Sequence, residues 1–225
     1  LTILLFNNRI YGLTKGQYSP TSEPGKITKS TPMGSIDNPF NPISLALGAE
    51  ATFVARTLDS ERGHLTEVLK AAASHRGTSF VEIYQNCPIF NDGAFDAIKD
   101  PATSADAIIP LNHGEPIRFG VDGHLGVVRD RTTGAFSVAE VADVGEDALV
   151  VHDAHLEDPS FAFGLSRLTD AGVLHRAPIG VFRDVAAPTY DDQARHQVAL
   201  AASLGNDDDA LQGVVNGGDT WTVSV

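Results

Sequence analysis

The apolar run Leu1–Phe6 passes without a break into Asn7-Asn8-Arg9-Ile10-Tyr11-Gly12-Leu13-Thr14. A continuous apolar run of this length reads as a central parallel strand buried on both faces. A strand that ends in an Asn pair and enters a Gly-punctuated loop brings oxygen ligands to the rim of a parallel sheet. Open α/β sheets bind their ligands at that rim. A hard cation such as magnesium takes those oxygens and keeps phosphates and waters as its other ligands. Asn-Asn is also ordinary turn chemistry at a strand end, because the side chain mimics a backbone turn. On those two residues alone the turn is the favoured reading.

The pattern that follows is strand, helix, strand, helix, strand. Residues 16–41 are rich in Ser, Thr, Pro and Gly and lack periodicity, so they read as one long ordered loop; such loops are usually functional. Pro42 opens a short helix, Ile43–Leu47, stopped by Gly48. Thr52–Arg56 reads as a strand. Asp59 or Ser60 caps the next helix, whose face carries Leu65, Val68, Leu69 and Ala72. Gly77 ends that helix, and Ser79–Tyr84 is the next strand. This order predicts an α/β sheet with parallel strands. The loop Gln85–Asp92 leaves from the same carboxyl side as Asn7–Thr14, which places residues 8 and 87 in one neighbourhood.

Beyond Asp100 the texture changes. Short β-like pieces, Glu115–Phe119, His124–Arg129 and Ala135–Val141, alternate with Gly and Asp turns. Pro159–Leu168 reads as helical and Ile179–Arg183 as a strand. Tyr190–Leu204 is a helix with Asp191 and Asp192 in its first turn, which suits the macrodipole. Asn206–Asp209 is an acidic tip and Thr220–Val225 an apolar tail.

The chain has 225 residues, 42% of them hydrophobic. That suffices for one core, or for a domain with a substantial extension. No stretch approaches the length of a membrane span. The formal net charge of −13 argues against nucleic acid or an anionic membrane as partner. Cys87 is the one cysteine, which excludes an internal disulfide and fits a reducing, cytoplasmic setting. The chain begins with Leu1 inside a strand and reads as N-terminally incomplete.

The wording from Asn7 through Ile10-Tyr11-Gly12-Leu13-Thr14 to Gly16-Gln17 and Ser19-Pro20-Thr21 resembles the second half of the thiamine diphosphate motif in β subunits of 2-oxoacid:ferredoxin oxidoreductases. The resemblance implies a metal held by the Asn8 side chain and the Ile10 carbonyl. Gly12 then lies close to the cofactor, Leu13 near the thiazolium, and Thr14 with Lys15 at the substrate end. The family's upstream Gly-Asp-Gly, which supplies a further metal ligand, is missing from this sequence. Asn86-Cys87-Pro88-Ile89-Phe90-Asn91 resembles the loop that carries the fourth ligand of a [4Fe–4S] cluster. On its own residues Cys87 reads first as a buried, inert thiol, and one thiolate cannot hold a cubane.

The implied fold is a parallel-sheet thiamine diphosphate-binding α/β domain over residues 1–95, in its C-terminal part, with a mixed α/β extension over 96–225. His113-Gly114-Glu115-Pro116, Val151-His152-Asp153 and Pro178–Arg183 resemble the extension of actinobacterial 2-oxoglutarate-type β subunits. The implied reaction is oxidative decarboxylation of a 2-oxoacid with coenzyme A, ferredoxin taking the electrons and a partner α subunit completing the site. A second substrate carboxylate needs a cation; Lys15, Lys26 and Lys29 are the candidates, and each also reads as a surface lysine. His152 and His155 read as flanking a surface turn, and His64 and His75 as solvent-facing or capping. No Gly-x-Ser-x-Gly elbow and no Gly-x-Gly-x-x-Gly occurs, which weighs against a serine nucleophile and a nicotinamide site. Two rival readings are a cluster-free thiamine decarboxylase and a non-catalytic fragment that docks to the α subunit.

Overall fold

The computed structural model describes residues 1–169, 174–204, 208–218 and 221–224. In chain order the elements are β1 (Thr2–Asn7), α1 (Pro42–Gly48), β2 (Phe53–Leu58), α2 (Arg62–Ser74) and β3 (Ser79–Tyr84). Then come α3 (Asp96–Lys99), α4 (Ser104–Ala107), β4 (Ile108–Leu111), β5 (Arg118–Phe119), β6 (Leu125–Arg129) and β7 (Phe136–Glu140). Last are α5 (Val141–Val144), α6 (Ser160–Ser166), β8 (Ala177–Asp184), α7 (Tyr190–Ser203) and α8 (Asp208–Asn216). Residues 1–186 form one compact unit and 187–225 a second.

Five strands of the first unit form a mixed sheet in the order β1-β3-β2-β8-β4. The expected parallel group is present: β1 and β2 both run parallel to β3. β8 then pairs antiparallel with β2 and parallel with β4. The sheet therefore draws strands from both halves of the sequence. A separate antiparallel sheet, β5-β6-β7, accounts for the short β pieces.

β1 is not central. Among the described residues it lies at the sheet's edge, bonded to β3 alone. Its apolar run is consequently uncovered, with Phe6 58% exposed. The middle of the sheet is instead β2, all six of whose residues are buried between β3 and β8.

Side chains alternate across a strand, and β2 and β3 divide accordingly. Phe53, Ala55, Val81 and Ile83 pack with Val68 and Ala72 of α2. On the other face Val54 joins Ile43 and Leu47 of α1 and Leu165 of α6 in the largest core cluster. Pro42 stands in the first turn of α1, and the Asn41 side chain caps it by accepting the Ser44 N–H.

Neither Asp59 nor Ser60 caps α2; Glu61 holds that place without a side-chain bond. The Asp59 carboxylate is already engaged, accepting from Lys99 and from the Asn86 N–H. His75, at the end of α2, is not solvent-facing. Its Nδ1 lies 2.9 Å from Asp184 of β8 and its Nε2 2.8 Å from the Thr52 hydroxyl, which ties three elements together. His152 is also no surface residue: it is 0% exposed, and its Nε2 donates to the Val181 carbonyl at 2.7 Å. His155 is exposed, and its ring sits 4.2 Å from that of His113, a pairing the sequence does not signal.

In the second unit, Thr189 caps α7 by accepting the Asp192 N–H. Asp191 and Asp192 stand in its first turn as the sequence predicts. Of the acidic tip, Asn206 and Asp207 lie outside the described residues, as do Thr220 and Val225 of the tail.

Candidate cofactor site

Asn7 ends β1 with its side chain turned into the sheet. Its Nδ2 donates to Glu82 Oε1 at 2.7 Å. Its Oδ1 accepts from the Arg9 N–H at 3.1 Å and from the Thr21 hydroxyl at 2.7 Å. Those two bonds bend the chain back at once, and Arg9 takes a left-handed conformation with φ 56°, uncommon for a residue with a side chain. Asn8 and Ile10 flank that residue. The Asn8 Oδ1 accepts the Ile10 N–H at 3.3 Å, which uses one of the two lone pairs of an amide oxygen.

The turn is clamped from two further directions. The Ser22 hydroxyl donates to the Arg9 carbonyl at 2.5 Å. Asn91 Nδ2 donates to the carbonyls of Asn8, at 2.9 Å, and Arg9, at 3.3 Å. Asn91 belongs to the Cys87 loop and its N–H donates to the Cys87 carbonyl at 3.0 Å. The two loops therefore do meet, and the joint is Asn91. Cys87 itself is half-buried.

Beyond Ile10 the chain forms a small closed loop, with Tyr11 N–H donating to the Gln17 carbonyl at 2.8 Å. The Phe90 ring supports it from below. A Cβ on Gly12 would stand 3.9 Å from that ring and one on Gly16 3.4 Å. Gly16 also has φ 101°, so its left-handed backbone needs glycine. Leu13 is 100% exposed at the loop's crest, and the exposed Thr14 donates to the Tyr11 carbonyl at 3.3 Å. Lys15 and Lys29 are exposed. Lys26 is committed elsewhere, donating to Asn91 Oδ1 at 2.5 Å and paired with Glu23 at 3.0 Å.

Under the turn lies a buried ion pair. Arg56 Nε donates to Glu82 Oε2 at 2.7 Å, with both side chains essentially inaccessible. The guanidinium also donates to Thr169 Oγ1 at 2.8 Å and the Pro178 carbonyl at 3.2 Å, and it lies between the rings of Tyr84 and Phe182. Burial pushes the Tyr84 phenol well above its ordinary value, against the pull of Arg56. The space beside the pair is about 70 Å³, far below the size of a cofactor pocket. The pair lies directly beneath the turn, bonded to it through Asn7.

Sequence reading named Asn8 and Ile10, with Asn7 as a turn residue, and missed Thr21, Asn91, Glu82 and Arg56. One signal for the last two was available. A charge at an inward position of an apolar strand is almost never buried unless paired. Ser79–Tyr84 and Phe53–Leu58 each carry one, and Arg56 and Glu82 stand opposite each other in the register.

Residues 1–83 match the family described as thiamine pyrophosphate enzyme, C-terminal TPP binding domain. Over 224 residues the chain is 58% identical to the 2-oxoglutarate oxidoreductase subunit KorB of Mycobacterium tuberculosis. The chain is homologous to 2-oxoacid:ferredoxin oxidoreductase β subunits. Its match to KorB takes in 99% of the chain and 59% of KorB. A β subunit of the Saccharolobus solfataricus 2-oxoacid:ferredoxin oxidoreductase is 46% identical over 92 residues, covering 41% of this chain and 30% of that protein. Among solved structures, a 2-oxoglutarate:ferredoxin oxidoreductase from Magnetococcus marinus, with 2-oxoglutarate, coenzyme A and succinyl-CoA bound, superposes with a TM-score of 0.62 at 28% identity. That alignment covers 95% of this chain and 57% of the other. This β-subunit homologue thus spans somewhat under three-fifths of these two longer relatives.

Proposed function

We propose that this chain carries the cation and diphosphate end of a thiamine diphosphate site, in the β subunit of a 2-oxoglutarate:ferredoxin oxidoreductase. The observation that supports this most is the turn at Arg9. Two neutral oxygens, the Asn8 amide and the Ile10 carbonyl, belong to the residues that flank that bend at the carboxyl end of β1. Those donors suit magnesium, a hard cation that needs few protein ligands when a diphosphate supplies others. Among the described residues no group of three or more His, Cys, Asp or Glu side chains is placed to hold a metal ion.

On this reading Asn8 and Ile10 hold the cation, and Gly12 lets the backbone run close to the cofactor. Leu13 covers the reacting ring against water, and Thr14 orients the 2-oxoacid. Lys15 and Lys29 remain free to meet a second substrate carboxylate. Thiamine diphosphate, once bound, supplies the electron sink for loss of carbon dioxide. The overall reaction consumes 2-oxoglutarate and coenzyme A, releases carbon dioxide, succinyl-CoA and a proton, and passes two electrons to ferredoxin. An α subunit completes the enzyme. Residues 1–95 are then part of the cofactor domain. Residues 96–225 are an extension that lends β4 and β8 to its sheet. A cytoplasmic setting follows from the same reading; no described helix is long and apolar enough to cross a membrane.

An iron–sulfur cluster does not fit this chain by itself, because a cubane takes about four thiolates and Cys87 is the one cysteine. Cys87 is proposed only as one ligand among others supplied from outside this sequence, and no step above passes through a cluster.

The test uses the full-length β subunit with its α subunit. Asn8→Ala is expected to raise the dissociation constant of magnesium–thiamine diphosphate at least about tenfold, near 1.4 kcal/mol. Unchanged affinity in a titration would contradict the assignment. In the same preparation Cys87→Ser is expected to lower iron content with cofactor binding intact; a full iron complement leaves Cys87 a half-buried thiol with no ligand role.

A further inference from the structure

We propose that Glu82, clamped by Arg56, is the positioning residue of the cation-binding turn. It decides which way the Asn7 amide faces, and through Asn7 the bend that presents Asn8 and Ile10. This rests on the cation reading above and adds to it a residue buried beneath the turn.

The argument begins with the amide. Asn7 offers two donors at one end and an acceptor at the other, and nothing in its shape prefers either orientation. Glu82 breaks that symmetry, since an ionised carboxylate only accepts. Its Oε1 requires the Nδ2 end of Asn7, at 2.7 Å. The Oδ1 end is thereby turned to the Arg9 N–H and the Thr21 hydroxyl. The opposite orientation would set an amide oxygen against a buried carboxylate and an NH₂ group against the Arg9 N–H.

Glu82 cannot move to relieve such a clash. Its other oxygen is held by Arg56 at 2.7 Å. Arg56 is held in turn by Thr169, by the Pro178 carbonyl and between two aromatic rings. A buried ion pair of this kind is seldom more stabilising than apolar residues of the same volume. Its use here is orientation: a line of fixed bonds runs from β8 through β2 and β3 to the tip of β1.

The test is a charge swap in the full-length complex. Asn7→Asp sets two carboxylates face to face, and Glu82→Gln removes the group that selects the amide orientation. Each is expected to raise the magnesium–thiamine diphosphate dissociation constant about tenfold or more, the scale seen when a ligand's support is lost. At saturating cofactor the KM for the 2-oxoacid is expected to stay unchanged. The double variant Asn7→Asp/Glu82→Gln restores every bond. The new amide on β3 accepts from Arg56 and donates to the new carboxylate at the end of β1, which accepts from Arg9 and Thr21. The double variant is expected to bind the cofactor within about threefold of the parent, because paired sites of this kind couple strongly.

A folded double variant that binds as weakly as the worse single overturns the proposal. So does an Asn7→Asp protein with unchanged affinity. Where the buried substitutions prevent folding, Thr21→Ala decides. It removes one of the two donors on Asn7 Oδ1 without touching the ion pair. Weaker cofactor binding at an unaltered melting temperature supports the proposal, and unchanged binding overturns it. Asn8→Ala runs alongside. If its affinity is unchanged, the cation reading falls and takes this proposal with it. If Asn8→Ala weakens binding and Asn7→Asp does not, only the positioning role falls.

Discussion

Facing α2, the alternate positions of β2 and β3 carry Phe53, Ala55, Val81 and Ile83; facing the other way, one residue along each strand, stand Arg56, Glu82 and Tyr84. The backbone is shared and burial is complete on both sides. What differs is how each face tolerates error. The α2 face is held by area removed from water, which is non-directional, so nearby shapes serve nearly as well. The polar face is held by directed bonds among charged groups, and one missing partner leaves a buried charge exposed to the full cost of desolvation. A fold needs the first kind of face. The second earns its place at the end of β1, where a turn must point one way.

The sharpest way to break this contrast is to cut one side chain from each face. Arg56→Ala leaves the Glu82 carboxylate buried without its cation. It is expected to cost about 3–5 kcal/mol, read as a shift in the urea midpoint of the full-length protein. Ile83→Val removes one methylene from the α2 face and is expected to cost only about 0.5–1.5 kcal/mol. It is also expected to leave cofactor affinity alone. If Ile83→Val weakened the cofactor as much as Asn7→Asp, the two faces would not be separable and the contrast would fail.

The legibility of the sequence follows the same division. The parallel group β1-β3-β2 and the Pro42 helix are visible because each rests on local signals: apolar runs, a proline at a helix start, glycine stops. The meeting of the Asn8 and Cys87 loops is visible too, because parallel strands deliver their ends to one side. The insertion of β8 between β2 and β4 is not. Ala177 lies 69 positions beyond its partner Ile108, and pairing over such a distance leaves no local periodicity. The same holds for Asn7, Arg56 and Glu82. Each is a readable oddity within its own strand, but their linkage exists only across three strands. An apolar run reports that a strand is to be covered, and is silent about what covers it.

Two histidines away from the ion pair make the folded unit sensitive to acid. His64 packs at α2, with its Nδ1 2.8 Å from the Thr57 hydroxyl, and His152 is buried against the Val181 carbonyl. Burial lowers both imidazoles below their ordinary value of 6.5, outweighing the nearby Glu67 and Glu61 for His64 and the Val181 carbonyl for His152. The sign follows. Below pH 6.5 the unfolded chain takes up protons that the folded chain still refuses, so acidification favours unfolding. The stability is present in full above 6.5 and drains away as pH falls toward the folded values, by at most about 1.4 kcal/mol per group and pH unit. Thermal midpoints measured at intervals between about pH 7.5 and 5.5 are therefore expected to fall. His152→Gln, whose amide still donates toward Val181 without titrating, is expected to flatten part of that slope. An unaltered slope in this variant would mean that His152 takes up its proton as readily folded as unfolded. Its burial against β8 would then not resist charge, and the contrast between the faces would rest on the directed bonds of Arg56 and Glu82.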